Sequence, residues 1–277
     1  MKSSYLSKDA RLAYHVSGAG LPVVFLHPTP LDHEYWRPLT ESFAGVRALV
    51  PDLRGHGESE LGTGLPAGGF ERVPDAQVLT MAQMAMDILA LLDHLDLREA
   101  VFAGCSIGGY VLMELWRQAP ERIRGLAMIC SKPQPDASAN LVKRAESIAK
   151  ARAEGCGAIF DGNVQTLIGA TARSRNPQIV AALRSRMTVT PEAFVAVQAG
   201  LATRPDSVPT VGTIEAPVLT IAGGEDPVAS RAEMEAYKAA PGGCVFHLLP
   251  DAGHFAAYEQ PAKVAGLMAN WLKQFGA

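Results

Sequence analysis

A serine framed by glycines stands at Gly104-Cys105-Ser106-Ile107-Gly108, directly after the apolar run Ala100 to Cys105 and directly before residues of helical spacing. Strand, Gly-x-Ser-x-Gly and helix, in that order, put a side chain on a sharp turn and leave its hydroxyl projecting. Gly104 and Gly108 bring no Cβ to collide with the backbone around that turn. A serine hydroxyl is a poor nucleophile at neutral pH and needs a base within hydrogen-bond reach, itself oriented by a carboxylate. Two later strand ends offer these groups. Ile221-Ala222-Gly223-Gly224-Glu225-Asp226-Pro227 places Asp226 just past one apolar run, and Leu249-Pro250-Asp251-Ala252-Gly253-His254 places His254 just past the last. Loops on the carboxyl edge of a parallel sheet are neighbours in space, so these distant residues can meet.

Other residues compete for the same roles. Glu225 adjoins Asp226 but would point another way, and the position before Pro227 suits the turn, so Asp226 is the preferred acid. The run before the helical region ends Ile129-Cys130-Ser131-Lys132, with no carboxylate, and Asp251 reads as a turn residue. His15, His94 and His247 fall in strand or helix patterns and read as structural, while His33 is a candidate for lining the pocket. Acyl transfer also needs N–H donors aimed at the developing oxyanion. Ile107, the residue after the nucleophile, supplies one. In the turn His27-Pro28-Thr29-Pro30 the prolines have no N–H, so Thr29 supplies the other, with its hydroxyl a candidate third donor.

Short apolar runs alternate with stretches of helical period, the pattern of an α/β fold with a mostly parallel central sheet flanked by helices. The expected strands are Leu12 to Val16, Val23 to His27, Arg47 to Pro51, Ala100 to Cys105, Gly125 to Cys130, Pro217 to Ala222 and Val245 to Leu249. Helices are expected from Thr80, with Gln83 completing a capping box, from Ile107 to about Gln118, and from Pro261 to Phe275. Leu61 to Val78 reads as a flexible loop near the site. From residue 132 to 213 no strand-like run repeats, which reads as a helical cap inserted between core segments 1–131 and 214–277. This insertion holds ten Lys and Arg against six Asp and Glu, in a chain with a net charge of −3, so an anionic acyl substrate would be drawn toward it. Met113, Met128, Met187, Phe160, Phe194 and Phe255 are candidates for an apolar pocket wall.

Together with the block Asp52-Leu53-Arg54-Gly55-His56-Gly57-Glu58-Ser59, these motifs resemble the α/β-hydrolase superfamily over nearly the whole chain, and within it capped esterases and lactonases of the 3-oxoadipate enol-lactonase type. The resemblance implies the α/β-hydrolase fold and a structural role for the Asp52 to Ser59 turn. The superfamily usually has glycine where this chain has Pro28.

Composition narrows the classes further. With 277 residues, 48% apolar and 19% charged, the chain can bury one large core, which excludes disorder, collagen and coiled coil. It has no basic block of the kind that binds nucleic acid. Met1 to Ala10 is polar where a secretory signal would be apolar, and no run is long enough to span a bilayer, so a soluble cytoplasmic protein is expected. Cys105, Cys130, Cys156 and Cys244 show no C-x-x-C spacing and read as reduced structural thiols. The expected activity is that of a serine hydrolase without cofactor or metal, cleaving a small carboxylic ester or lactone through an acyl-Ser106 intermediate. A lyase or cyclase on the same scaffold, and a ligand receptor retaining the three residues, are the alternatives.

Overall fold

The computed structural model describes residues 2–276. Its strands are β1 (Lys2–Ser7), β2 (Ala10–Gly18), β3 (Leu21–Leu26), β4 (Val46–Pro51), β5 (Ala100–Cys105), β6 (Ile123–Ile129), β7 (Val218–Gly223) and β8 (Cys244–Leu249). They form one eight-stranded sheet in the order β1-β2-β4-β3-β5-β6-β7-β8. Pairing is antiparallel for β1 with β2 and for β2 with β4, and parallel from β4 to β8. This is the α/β-hydrolase architecture.

The parallel centre follows from strand composition. Every residue of β5 and β7 is buried, as strands covered on both faces must be. Along β3 the side chains alternate between the two layers. Val23 and Phe25 pack into the core under Met268 and Trp271, whereas Val24 and Leu26 pack under Met84, Ile88, Val111 and Leu115. Helices α1 (Met81–His94) and α2 (Ile107–Gln118) supply that second layer.

Between β6 and β7 the chain is helical: α3 (Ser138–Glu154), α4 (Gly157–Leu167), α5 (Ala170–Arg175), α6 (Gln178–Arg184), α7 (Pro191–Ala202) and a final turn at Val208–Val211. The last long helix, α8 (Pro261–Leu272), continues as a tighter turn through Phe275.

One strand is added to those expected, and two expectations are corrected. The polar start forms β1, an edge strand that turns Tyr5 and Ser7 inward and leaves Leu6 exposed; Tyr5 Oη donates to the Asp87 carbonyl (2.9 Å) and Ser7 Oγ to the Asp87 carboxylate (2.7 Å). At α1, Thr80 Oγ1 accepts from the Gln83 N–H at 3.0 Å, but the Gln83 side chain bonds Asp87 instead of returning to the cap, so only half of the capping box forms. The stretch from Leu61 to Val78 contributes nothing to the wall of the cavity that holds Ser106. It is drawn into the core through Phe70, Ala76 and Val78, and Asp9 accepts the N–H groups of Thr63 and Gly64.

Arg54 shows why the Asp52 to Ser59 turn sits where it does. Its buried guanidinium bonds both carboxylate oxygens of buried Asp87 (2.8 and 2.9 Å), the Ser7 carbonyl and Asp9. A buried charge is tolerable only when its donors are filled in this way.

Candidate active site

The sheet order places the site. The chain runs outward from β3 to β4, then returns to start β5 on the other side of β3, so the loops after β3 and β5 diverge at the reversal point. A crevice opens at the carboxyl edge at such a point. Thr29 follows β3 and Ser106 follows β5, and both line one cavity of about 580 Å³.

Ser106 has φ +53° and ψ −117°, a backbone conformation that non-glycine residues rarely adopt and hold only where their surroundings enforce it. The constraints are visible. Ser106 N–H donates to the Ile129 carbonyl (3.2 Å), and Ser131 Oγ donates to the Ser106 carbonyl (2.8 Å). A Cβ at Gly104 would lie 2.5 Å from the Gly108 carbonyl carbon, and one at Gly108 would lie 2.3 Å from the Leu26 carbonyl oxygen. Any larger residue at either position would force the elbow apart. The turn points Ser106 into the cavity at the N-terminus of α2, where backbone N–H groups favour negative charge.

Asp226 and His254 come together from the loops after β7 and β8. The His254 Nδ1 lies 3.0 and 2.9 Å from the two Asp226 carboxylate oxygens, and neither side chain exposes more than 3% of its surface. Asp226 Oδ1 also accepts the N–H groups of Val228 (2.7 Å) and Ala229 (3.2 Å). Burial alone would raise the Asp226 pKa, but His254 and those two N–H groups outweigh it and hold the carboxyl below its usual range. An ionised Asp226 makes Nδ1 the protonated nitrogen of His254 and leaves Nε2 as the basic one. Ser106 and His254 face the same cavity. Glu225 points away, accepting the Thr171 N–H (3.0 Å) and hydroxyl, and Asp251 pairs with Arg175 on the surface.

The N–H groups of Thr29 and Ile107 have no protein acceptor among the described residues. The Thr29 hydroxyl does. It lies 2.9 Å from His56 Nε2, while His56 Nδ1 lies 3.0 Å from the Arg54 carbonyl. A carbonyl only accepts, so Nδ1 carries the proton and Nε2 accepts from Thr29. Burial pushes the His56 pKa down and favours this neutral form. The Thr29 hydroxyl hydrogen is therefore spent on His56, which removes the hydroxyl as a candidate third oxyanion donor.

Helices α3, α4 and α7 of the insertion form the far wall, with Lys143, Arg144, Asn163, Phe194 and Gln198 among its residues. Of the six apolar wall candidates only Phe194 lines the cavity; Met113, Met128 and Phe255 are core, and Phe160 and Met187 pack among the insertion's helices. Most of the insertion's excess positive charge is locally neutralised. Four of its cations pair with acids outside it, Lys132 with Glu233 (2.5 Å), Arg152 with Asp75 (3.0 Å), Arg175 with Asp251 (3.1 Å) and Arg186 with Glu34 (3.1 Å), while within it Asp136 binds both Arg144 and Arg204 (2.9 Å to the latter).

A model of the alpha/beta hydrolase family matches residues 23–267. The chain belongs to the alpha/beta hydrolase family. Among solved structures, an esterase from Thermogutta terrifontis superimposes on this alpha/beta hydrolase with TM-score 0.88 at 30% identity, covering 99% of this chain and 98% of that one. An enol-lactonase from Burkholderia xenovorans LB400 superimposes with TM-score 0.86 at 24% identity, covering 98% and 100%, and supports the fold alone. The 2-succinyl-6-hydroxy-2,4-cyclohexadiene-1-carboxylate synthase of Salmonella heidelberg is 28% identical over 267 residues, covering 94% of this chain and 98% of the synthase.

Elsewhere in this hydrolase-family chain, His15, His33, Asp52 and Glu58 bring metal-ligating atoms within 4.8 Å of one another. Those atoms already have partners. Asp52 accepts the His33 N–H (2.7 Å), the Glu58 N–H (2.9 Å) and His33 Nδ1, while Glu58 binds Lys2 and His15. The cluster fastens the turn after β4, and His33, a candidate for lining the pocket, is stacked on His15 at 3.6 Å and is not part of the cavity wall.

The Thr29 geometry yields a test within this site. Thr29→Val keeps the backbone N–H and removes only the hydroxyl, so kcat is expected to fall less than about tenfold. Loss of a true oxyanion donor costs about 10²- to 10³-fold. Steady-state kinetics on an activated ester distinguishes the two.

Proposed function

We propose that this hydrolase-family protein is a serine hydrolase that cleaves a small carboxylic ester or lactone through an acyl-Ser106 intermediate. The observation that carries the reading is that His254, shielded and paired with Asp226, opens with Ser106 onto one cavity at the end of the sheet. His254 Nε2 takes the proton from Ser106 Oγ as the oxygen attacks the carbonyl carbon, and Asp226 stabilises the imidazolium that forms. The N–H groups of Thr29 and Ile107 hold the oxyanion. His254 then returns the proton to the leaving alkoxide. In the second half, water gives a proton to His254 as its oxygen bonds the acyl carbon, and His254 returns that proton to Ser106 Oγ as the acyl–oxygen bond breaks, releasing the acid and regenerating Ser106.

The insertion acts as a cap whose inner surface selects the acyl substrate. The described cysteines are all unpaired thiols, which supports a reducing, cytoplasmic setting. The similarity to a synthase over 94% of this chain favours one second reading, in which His254 serves as the base of a reaction that makes or breaks a carbon–carbon bond.

The test is to incubate the protein with activated esters, lactones and diketones and to trap the acyl-enzyme by acid quench. An adduct on the peptide carrying Ser106, with turnover of an ester or lactone, is the expected result. Turnover of a carbon–carbon substrate with no Ser106 adduct would replace the hydrolase reading with the second one.

A further inference from the structure

The backbone at His254 is held from every side. The three consecutive N–H groups of Gly253, His254 and Phe255 all have acceptors. Gly253 donates to Glu259 Oε2 (2.7 Å), Phe255 to Glu259 Oε1 (3.1 Å) and His254 to the Leu167 carbonyl (2.8 Å). The carbonyls on either side of the His254 Cα are met by thiols, Cys130 Sγ at 3.5 Å from that of Gly253 and Cys105 Sγ at 3.6 Å from that of His254. One carboxylate, five residues beyond the histidine on the turn Ala256–Glu259, thus grips the amides that flank it.

The same carboxylate reaches the helical insertion. Glu259 Oε2 also accepts the Gly169 N–H at 3.2 Å, and Glu225, next to Asp226, accepts the Thr171 N–H at 3.0 Å. The segment from Leu167 to Thr171 therefore crosses both the acid loop and the base loop. Its approach leaves no room for a side chain at the crossing. A Cβ on Gly169 would lie 2.7 Å from Gly253 N and 2.9 Å from Glu259 Oε2, and one on Gly253 would lie 2.3 Å from Gly169 N.

We infer that Glu259 is a positioning residue that aims His254, and that by sharing its carboxylate with Gly169 it makes seating of the insertion and placement of the base one event. Charge-assisted bonds from N–H groups to a carboxylate are short and directional, which suits them to fixing a backbone. The Glu259 side chain only accepts, and all three of its neighbours at this junction donate. An amide in its place keeps one acceptor oxygen and turns an NH2 group against an N–H.

This inference rests on the hydrolase reading for its kinetic readout but not for its spectroscopic one. Glu259→Gln and Gly169→Ala are compared with the parent by circular dichroism, by kcat and KM on an activated ester, by the rate of fluorophosphonate labelling at Ser106, and by the downfield proton resonance of the His254 Nδ1–H bonded to Asp226. In both variants kcat and the labelling rate are expected to fall together by roughly tenfold to a hundredfold, as a misplaced reacting group does, with KM within about twofold of the parent. The Nδ1–H resonance should broaden or vanish. A folded Glu259→Gln protein with parental kcat and an unchanged resonance overturns the inference, as does a rise in KM at constant kcat. Should Glu259→Gln fail to fold, Gly169→Ala decides on the same criteria. If the parent hydrolyses no ester, the hydrolase reading fails and the resonance alone decides this one.

Discussion

Replacing Ser106 with alanine is expected to lower kcat on any ester substrate by about 10⁴- to 10⁶-fold while leaving the fold and its stability close to those of the parent. The size of the loss follows from the role that the proposed mechanism gives the hydroxyl. Without it no acyl intermediate can form, and only substrate binding and the oxyanion donors remain to accelerate direct attack by water. The preserved fold follows from the geometry of the elbow. Alanine keeps the Cβ, so it adds no atom between Gly104 and Gly108 and leaves the backbone preference at φ +53° essentially unchanged. The bonds that hold the turn, Ser106 N–H to Ile129 and Ser131 Oγ to the Ser106 carbonyl, involve only the backbone of residue 106 and persist. Steady-state hydrolysis of a p-nitrophenyl ester measures the loss, and circular dichroism with thermal melting measures the fold. Activity within tenfold of the parent in a folded variant would remove Ser106 from the mechanism.

How much of this was written in the sequence depends on the range of the interactions involved. Strand β5 and helix α2 begin and end where the residue pattern places them, because a strand buried on both faces is a continuous apolar run and the Gly-x-Ser-x-Gly turn marks the junction. Strand β1 carried no such signal. An edge strand with one partner and polar contacts to Asp87 needs little apolar surface, so Lys2–Ser7 shows no apolar run. The three residues proposed as nucleophile, acid and base were legible as candidates because each follows an apolar strand. The commitment of the Thr29 hydroxyl to His56, 27 residues away, was not. Glu259 was missed for the same reason. Its partners are backbone N–H groups, one of them 90 residues distant in a helical insertion, and backbone groups look alike at every position of a sequence. A carboxylate a few residues after a strand-end histidine, on a turn too short to need it, was the only local hint.

The second large effect expected is that of Asp226→Asn, a loss of about 10⁴-fold in kcat with little change in structure. The environment of this carboxylate dictates how the new amide must lie. Oδ1 accepts the N–H groups of Val228 and Ala229, so an asparagine keeps its carbonyl oxygen there and turns its NH2 group to the position now held by Oδ2, which is 2.9 Å from His254 Nδ1. The opposite orientation would set two donors against the NH2 group at short range. The amide oxygen at the Oδ1 position stays 3.0 Å from Nδ1, but it is uncharged and shared with two N–H groups, and the NH2 group at 2.9 Å opposes a proton on Nδ1; the balance therefore favours the tautomer with the imidazole proton on Nε2. His254 then presents an N–H to Ser106 instead of a lone pair and cannot take its proton. The histidine stays in place, held through its backbone by Leu167 and through its neighbours by Glu259, so the defect is one of protonation rather than position. That distinction is measurable. The Nδ1–H resonance seen in the parent should be replaced by an Nε2–H signal in nitrogen-edited spectra, while the pattern of backbone amides from Gly253 to Phe255 stays unchanged. A variant that retained kcat would show that the charge and hydrogen-bonding direction of Asp226 are immaterial to the base.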